Sequence, residues 1–207
     1  QFDIRPSLIK GDPADAYLHW TKEVMRLESL NPKVLMDFSA PRPGVLCGVE
    51  EAKALLLNVL PKVEHDNQAN NGGDVVQVWA MEEGEKFEAG EPVLRVISKY
   101  ASFGLYETSI LGMLSSSTGW ATAASECVES AGETTVIAYG ARHIHPNVAH
   151  ILDYASVIGG CSSVSTILGS KHAGRNPLGN MPHSLPLLFG DTVAAAQAFD
   201  KHIGMET

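Results

Sequence analysis

The sequence has no apolar run long enough to cross a bilayer. Stretches such as Ala54 to Leu60 fall far short of the roughly 20 residues that a membrane helix needs. No apolar leader follows Gln1 to Arg5, so no secretory signal is read there and a cytoplasmic protein is expected. Cysteine is scarce. The three present, Cys47, Cys127 and Cys161, are odd in number and far apart. With no C-x-x-C pair among them, neither a disulfide framework nor a zinc site is indicated, and all three read as buried thiols. Positive charge is also short: 15 Lys and Arg stand against 24 Asp and Glu, a net charge of −9. That balance argues against non-specific nucleic-acid binding, which depends on cations neutralising phosphates. Small anions are still admitted, because a few local cations and backbone amides can outweigh the global field.

What is there supports a packed α/β protein. At 44% hydrophobic, 207 residues can bury a sizeable core, as one large domain or two small ones. Residues 13–29 read as a helix, with Asp12 as a cap and Pro13 in the first turn. Residues 34–39 read as a strand, PRPG at 41–44 as a break, and 50–60 as an amphipathic helix stopped by Pro61. NNGGD at 70–74 is a strong turn signal. VVQVWAM and PVLRVIS, separated by the acidic loop EEGEKFEAGE, read as strands of a small sandwich or barrel. The pair resembles the hammerhead of biotinyl and lipoyl carriers. Neither Met-Lys-Met nor Asp-Lys-Ala occurs, which argues against a swinging-arm lysine.

The pattern changes near residue 115. Tyr106 to Leu114 is apolar-periodic, and residues 117–131 read as a second helix, with Trp120, Ala123, Ala124, Cys127, Val128 and Ala131 on one stripe. Strand and helix signals then alternate. TTVIAYG at 134–140 reads as a buried strand, 147–156 as a helix and SVIGG at 156–160 as a short strand. A further strand end is read within GNMPHSLPLLFG at 179–190, and Asp191 caps a helix through about His202. Repeated strand–loop–helix units imply a parallel sheet, open or closed into a barrel, with a ligand site at the carboxyl ends of its strands.

Polar residues gather where those strand ends are expected. Arg142, His143 and His145 follow the first strand, and Ser162, Ser163, Ser165 and Thr166 the second. Lys171, His172, Arg175, Asn180, His183 and Ser184 surround the third. On an acidic chain, a local set of cations and hydroxyls suits phosphate or carboxylate recognition. Each cluster also has a plainer reading. R-H-I-H-P can be a solvated surface turn, and its two histidines lack a third metal ligand nearby. His183 can be a structural histidine. G-G-C-S-S-V-S-T has the composition of a phosphate loop, but no G-K-[ST] follows.

The segments YETSILGMLSSSTGWATAA, ARHIHP, GGCSSVST and GNMPHSLP, with the D-x-Y of Asp15 and Tyr17, resemble the nicotinate phosphoribosyltransferase family over residues 9–202 with gaps. The resemblance implies an α/β fold: an N-terminal α/β sandwich domain, residues 1–113, followed by the first part of an incomplete α/β barrel, residues 114–207. It implies transfer of phosphoribose from phosphoribosyl pyrophosphate to nicotinate, with Mg2+ on the donor and ATP as an optional co-substrate. No resident metal site is expected.

The resemblance further implies His183 as the catalytic residue beside the ribosyl site and Arg142 as the fork for a carboxylate or phosphate. Ser184 would hold ligand, and Tyr17, accompanied by Asp15, would stack on the pyridine from the partner subunit of a homodimer or higher oligomer. His143, His145, Ser163 and Ser165 are secondary ligand contacts. Asn180 stands where the family's G-T-M-P-H has threonine. Two other readings remain: a non-catalytic binding or assembly protein that keeps the site shell, and quinolinate phosphoribosyltransferase, which shares the fold but needs cations for a second carboxylate.

Overall fold

The computed structural model describes residues 2–60 and 76–204, so the turn expected at 70–74 lies outside the described residues. The chain opens with two helices, α1 (Pro6–Lys10) and α2 (Ala16–Leu27). Strand β1 (Lys33–Ser39) then pairs antiparallel with β5 (Pro92–Lys99), whose other edge carries β3 (Gln77–Ala80). A second pairing joins β2 (Gly44–Val45) to β4 (Lys86–Phe87).

Alternation decides which face of the three-stranded sheet is buried. Phe38 of β1 and Leu94 and Val96 of β5 point inward, and helix α3 (Val49–Val59) lies against them with Val49, Ala52, Leu55 and Leu56 fully shielded. Outward, Arg95 forks onto both oxygens of Asp37 at 2.6 and 2.7 Å. That pair is solvated and adds little.

A short helix α4 (Tyr100–Phe103) and a 3-10 turn lead into α5 (Glu107–Ala131). The sequence pattern suggested two helices here, but the structure has one of 25 residues. The hydroxyl-rich stretch at 115–118 is a poor helix former on propensity alone. Tertiary contacts compensate: Ser117 is buried, the Thr118 hydroxyl bonds both the amide and the carbonyl of Cys47, and the Thr122 hydroxyl accepts from the Val45 amide. The first half of α5 thus closes the core with Ile110 and Leu114, while its second half, through Ala121, starts a new one with Ala155. The division expected at 113/114 falls inside this helix.

Beyond α5 come β6 (Ile137–Ala138), α6 (Ala149–Ile158), β7 (Ser163–Val164), α7 (Ile167–Ala173), α8 (Ser184–Phe189) and α9 (Thr192–Ile203). β6 and β7 pair parallel, Ile137 with Ser163 and Ala138 with Val164, with α6 as the crossover. The fold is therefore mixed α/β, ending in an unclosed parallel pair with its helices. Two strand expectations are corrected. Ser156–Ile158 of SVIGG forms the last turn of α6, because burial of Ala155 and Ser156 overrides the β preference of Val157 and Ile158. Residues 184–189 are helical, with Pro186 tolerated in the first turn. Cys127 is exposed on α5, against the expectation of three buried thiols, while Cys47 and Cys161 are buried.

No helix among the described residues is long and apolar enough to cross a membrane. Asp191 caps α9 as expected, its carboxylate accepting from the amides of Val193 at 2.7 Å and Ala194 at 3.0 Å. Asp191→Ala should destabilise this helix by about 1 kcal/mol. Hydrogen exchange at Val193 and Ala194 should then run roughly fivefold faster, and unchanged exchange would show the cap to be inert.

Candidate active site

The parallel pair brings the expected polar loops to neighbouring positions. Ser165 N donates to Ala138 O at 3.1 Å, and Leu178 N donates to Val164 O at 3.0 Å. Three stretches of chain, around 138, 164 and 178, therefore run side by side. Arg142 leaves the first, Ser165 and Thr166 the second, and Asn180 and His183 the third.

Past Ala138 the chain makes a 3-10 turn, Gly140–His143, with Arg142 and His143 exposed. The turn sits tight on α6: a Cβ on Gly140 would come 2.8 Å from Leu152 Cδ2. Arg142, Lys171 and Arg175 are exposed and have no ion-pair partner among the described residues. His145 has a local duty, its Nδ1 accepting from the Asn147 amide at 3.2 Å to cap the 3-10 turn Pro146–Val148.

In the second loop, Ser163 is buried and its hydroxyl donates to Asn176 O, tying β7 to the segment after α7. Ser162 donates likewise to Val136 O at 3.0 Å. Ser165 is half-buried and its hydroxyl is uncommitted among the described residues, so it is the serine of this loop with a free donor at the rim. His183 is exposed at the cap position of α8, followed by exposed Ser184, and Asn180 is exposed in the irregular stretch before them.

Asp15 and Tyr17 belong to another cluster. Asp15 accepts from the Thr108 hydroxyl at 2.8 Å and from Tyr17 OH at 3.2 Å, fastening the start of α2 to the start of α5. The Asp15 charge pushes the Tyr17 phenol above its ordinary pKa, so it stays a donor. Nearby, Tyr100 donates to Glu107 at 2.6 Å, and burial followed by that carboxylate pushes its phenol up to about 12. No hydrogen bond or ring contact joins Asp15 or Tyr17 to the strand-end loops among the described residues. Two residues with large structural roles carried no sequence signal as such: Glu83, which accepts from the amides at the start of α3, and Asp153, buried beneath Thr166.

Among the described residues, no three His, Cys, Asp or Glu groups converge as a metal cage.

A solved nicotinate-nucleotide pyrophosphorylase from Pyrococcus furiosus superposes with a TM-score of 0.85 at 38% identity, covering 98% of this chain and 50% of that one. One from Ehrlichia chaffeensis superposes with a TM-score of 0.64 at 17% identity, over 99% of this chain and 68% of that one, which speaks for the fold alone. A nicotinate phosphoribosyltransferase of Mycobacterium tuberculosis is 30% identical over 123 residues, 59% of this chain and 27% of that protein. The chain thus spans half the length of the first of these and about a quarter of the last. The family model for the N-terminal domain of quinolinate phosphoribosyl transferase matches residues 15–118. That match, with the 38%-identical pyrophosphorylase, corrects the expectation of a nicotinate phosphoribosyltransferase with nicotinate as its substrate. The matched residues include D-x-Y and end before the R-H-x-H-P and M-P-H-S loops. Half of the chain fits one family description, and the chain belongs to the quinolinate phosphoribosyl transferase N-terminal domain family.

Proposed function

We propose that the chain forms the N-terminal domain and first βα units of a quinolinate-type phosphoribosyltransferase. The observation that carries this is the family match over residues 15–118, followed in the chain by a rim whose cations have no ion-pair partner among the described residues. A pyridine dicarboxylate presents two anionic groups, and Arg142, Lys171 and Arg175 offer uncommitted cations in the same part of the fold. The pyridine nitrogen displaces pyrophosphate from the anomeric carbon of phosphoribosyl pyrophosphate. Loss of carbon dioxide then leaves an electron pair on the ring carbon, beside the positive ring nitrogen, and a proton replaces it. In this reading Arg142 grips a carboxylate or phosphate, Ser165 and Ser184 donate to the ligand, and His183 lies next to the ribose. No strong base is needed for the first step, which makes positioning and charge neutralisation the main demands.

A homodimer belongs to the same proposal. Tyr17, Trp20, Val24 and Leu27 are exposed at helical spacing along α2, an apolar stripe that none of the described residues covers. Tyr17 on that stripe would reach a partner's site. A cytoplasmic location is proposed with it.

The full-length protein carrying this chain should form nicotinate mononucleotide from quinolinate and phosphoribosyl pyrophosphate with magnesium, releasing one carbon dioxide per turnover. Arg142→Ala should lower kcat/KM about 100-fold, the loss of one charge-assisted fork. Turnover of nicotinate with none of quinolinate would overturn the proposal.

A further inference from the structure

Asp153, on α6, is the one charged side chain among the described residues that is fully shielded from solvent. Burying a carboxylate is costly unless it is hydrogen-bonded. One of its oxygens accepts from the Thr166 hydroxyl, and the other has no partner among the described residues. Burial pushes its pKa up, against the opposing pull of Thr166 and His150.

Thr166 ends the hydroxyl loop and is the cap residue of α7. Its oxygen also accepts from the Gly169 amide at 3.0 Å. A hydroxyl has one proton, so donating it to Asp153 leaves the lone pairs for the amide and fixes the direction of the cap. Gly169 completes the arrangement, since a Cβ there would collide with Asp153 Oδ2, Cβ and Cγ. The first turn of α7 thus closes directly onto the carboxylate. One residue earlier stands Ser165, held to β6 by its amide and free at its hydroxyl.

We propose that Asp153 is a positioning residue: by orienting Thr166 it fixes the loop that leaves β7, and so places the Ser165 hydroxyl to bind an anionic group of the ligand. This rests on the reading that the rim binds a phosphorylated or carboxylated ligand. The donor pyrophosphate and the ring carboxylates share the chemistry, and two probes separate them.

Inorganic pyrophosphate and quinolinate are titrated calorimetrically into the full-length protein and into Thr166→Val, Thr166→Ser, Asp153→Asn and Asp153→Ala. Thermal unfolding confirms that each is folded. Thr166→Val and Asp153→Ala should weaken one probe by about tenfold or more, while Thr166→Ser and Asp153→Asn, which keep the bond, should stay within about threefold. Saturating turnover should change little in the folded variants, because KM and not kcat carries the effect. Selective loss of pyrophosphate affinity assigns the loop to the donor, and selective loss of quinolinate assigns it to the ring acid. A folded Thr166→Val protein that binds both probes as tightly as wild type overturns the positioning role. Wild-type protein that binds pyrophosphate but never turns over quinolinate defeats the proposed function and leaves this inference standing. Binding of neither probe defeats both.

Discussion

Gly159→Ala should lower the stability of the protein by about 3 kcal/mol or more, among the largest effects expected of any single methyl group here. Gly159 ends α6 where that helix crosses α5. A Cβ there would collide with the Ala121 carbonyl oxygen and approach Ala124 Cβ to 2.7 Å. Neither obstacle is the end of a flexible side chain, so relief requires the two helices to part. Parting them opens the contact of Ala121 with Ala155, both fully buried, on which the second core is centred. For a domain of this size the melting temperature should fall by roughly 2–4 °C per kcal/mol. The contrast is Gly112→Ala on the same long helix. No atom lies within 4 Å of a Cβ at Gly112, leaving aside the helix's own backbone. That substitution should stabilise the protein by about 0.5–1 kcal/mol through the lower entropy of the unfolded chain. Equal effects of the two would show that the crossing is looser than its geometry.

The elements that sequence reading found are those whose pattern is local. β1 and α3 lie within a residue of their expected bounds because period-2 and period-3.6 apolar spacing fixes which face is buried. The Asp191 cap was legible because the amides that donate to it are two and three residues away. The polar loops were legible in outline, since hydroxyls and cations following apolar runs mark strand ends. Failure came where distant contacts decide. The unbroken α5 depends on Thr118 and Thr122 bonding residues more than 70 positions earlier. SVIGG looks like a strand until α5 buries it. Serine identity alone did not separate Ser163, committed to Asn176, from Ser165, whose hydroxyl has no partner among the described residues. The ring acid lay beyond the motifs as well, because cations and hydroxyls of this kind suit a mono- or a dicarboxylate alike.

Glu83→Ala should cost about 3 kcal/mol, because one carboxylate serves two parts of the fold at once. Helix α3 begins after Gly48, which has φ +90° and no side chain with which to cap the helix. Glu83 supplies the cap from 35 positions away, accepting from Gly48 N at 2.8 Å and, 33 positions away, from Glu50 N at 3.1 Å. Its charge also sits where the helix dipole favours an anion. The same carboxylate faces the Cys47 thiol and the Tyr154 hydroxyl. Burial first, and then Glu83, push both groups well above their ordinary ranges, so each stays neutral. Tyr154 belongs to α6, so the Glu83 charge is felt from the start of α3 to the parallel-strand half of the molecule. Removing it strands two amides at a helix start. Glu83→Gln should cost less, about 1–2 kcal/mol, since one oxygen still accepts while the amide nitrogen confronts donors. Tyr154→Phe should cost about 1 kcal/mol alone and distinctly less in the Glu83→Ala background, a coupling measurable by denaturant unfolding of the four proteins. Strict additivity would mean that the two halves of the fold are joined through packing alone.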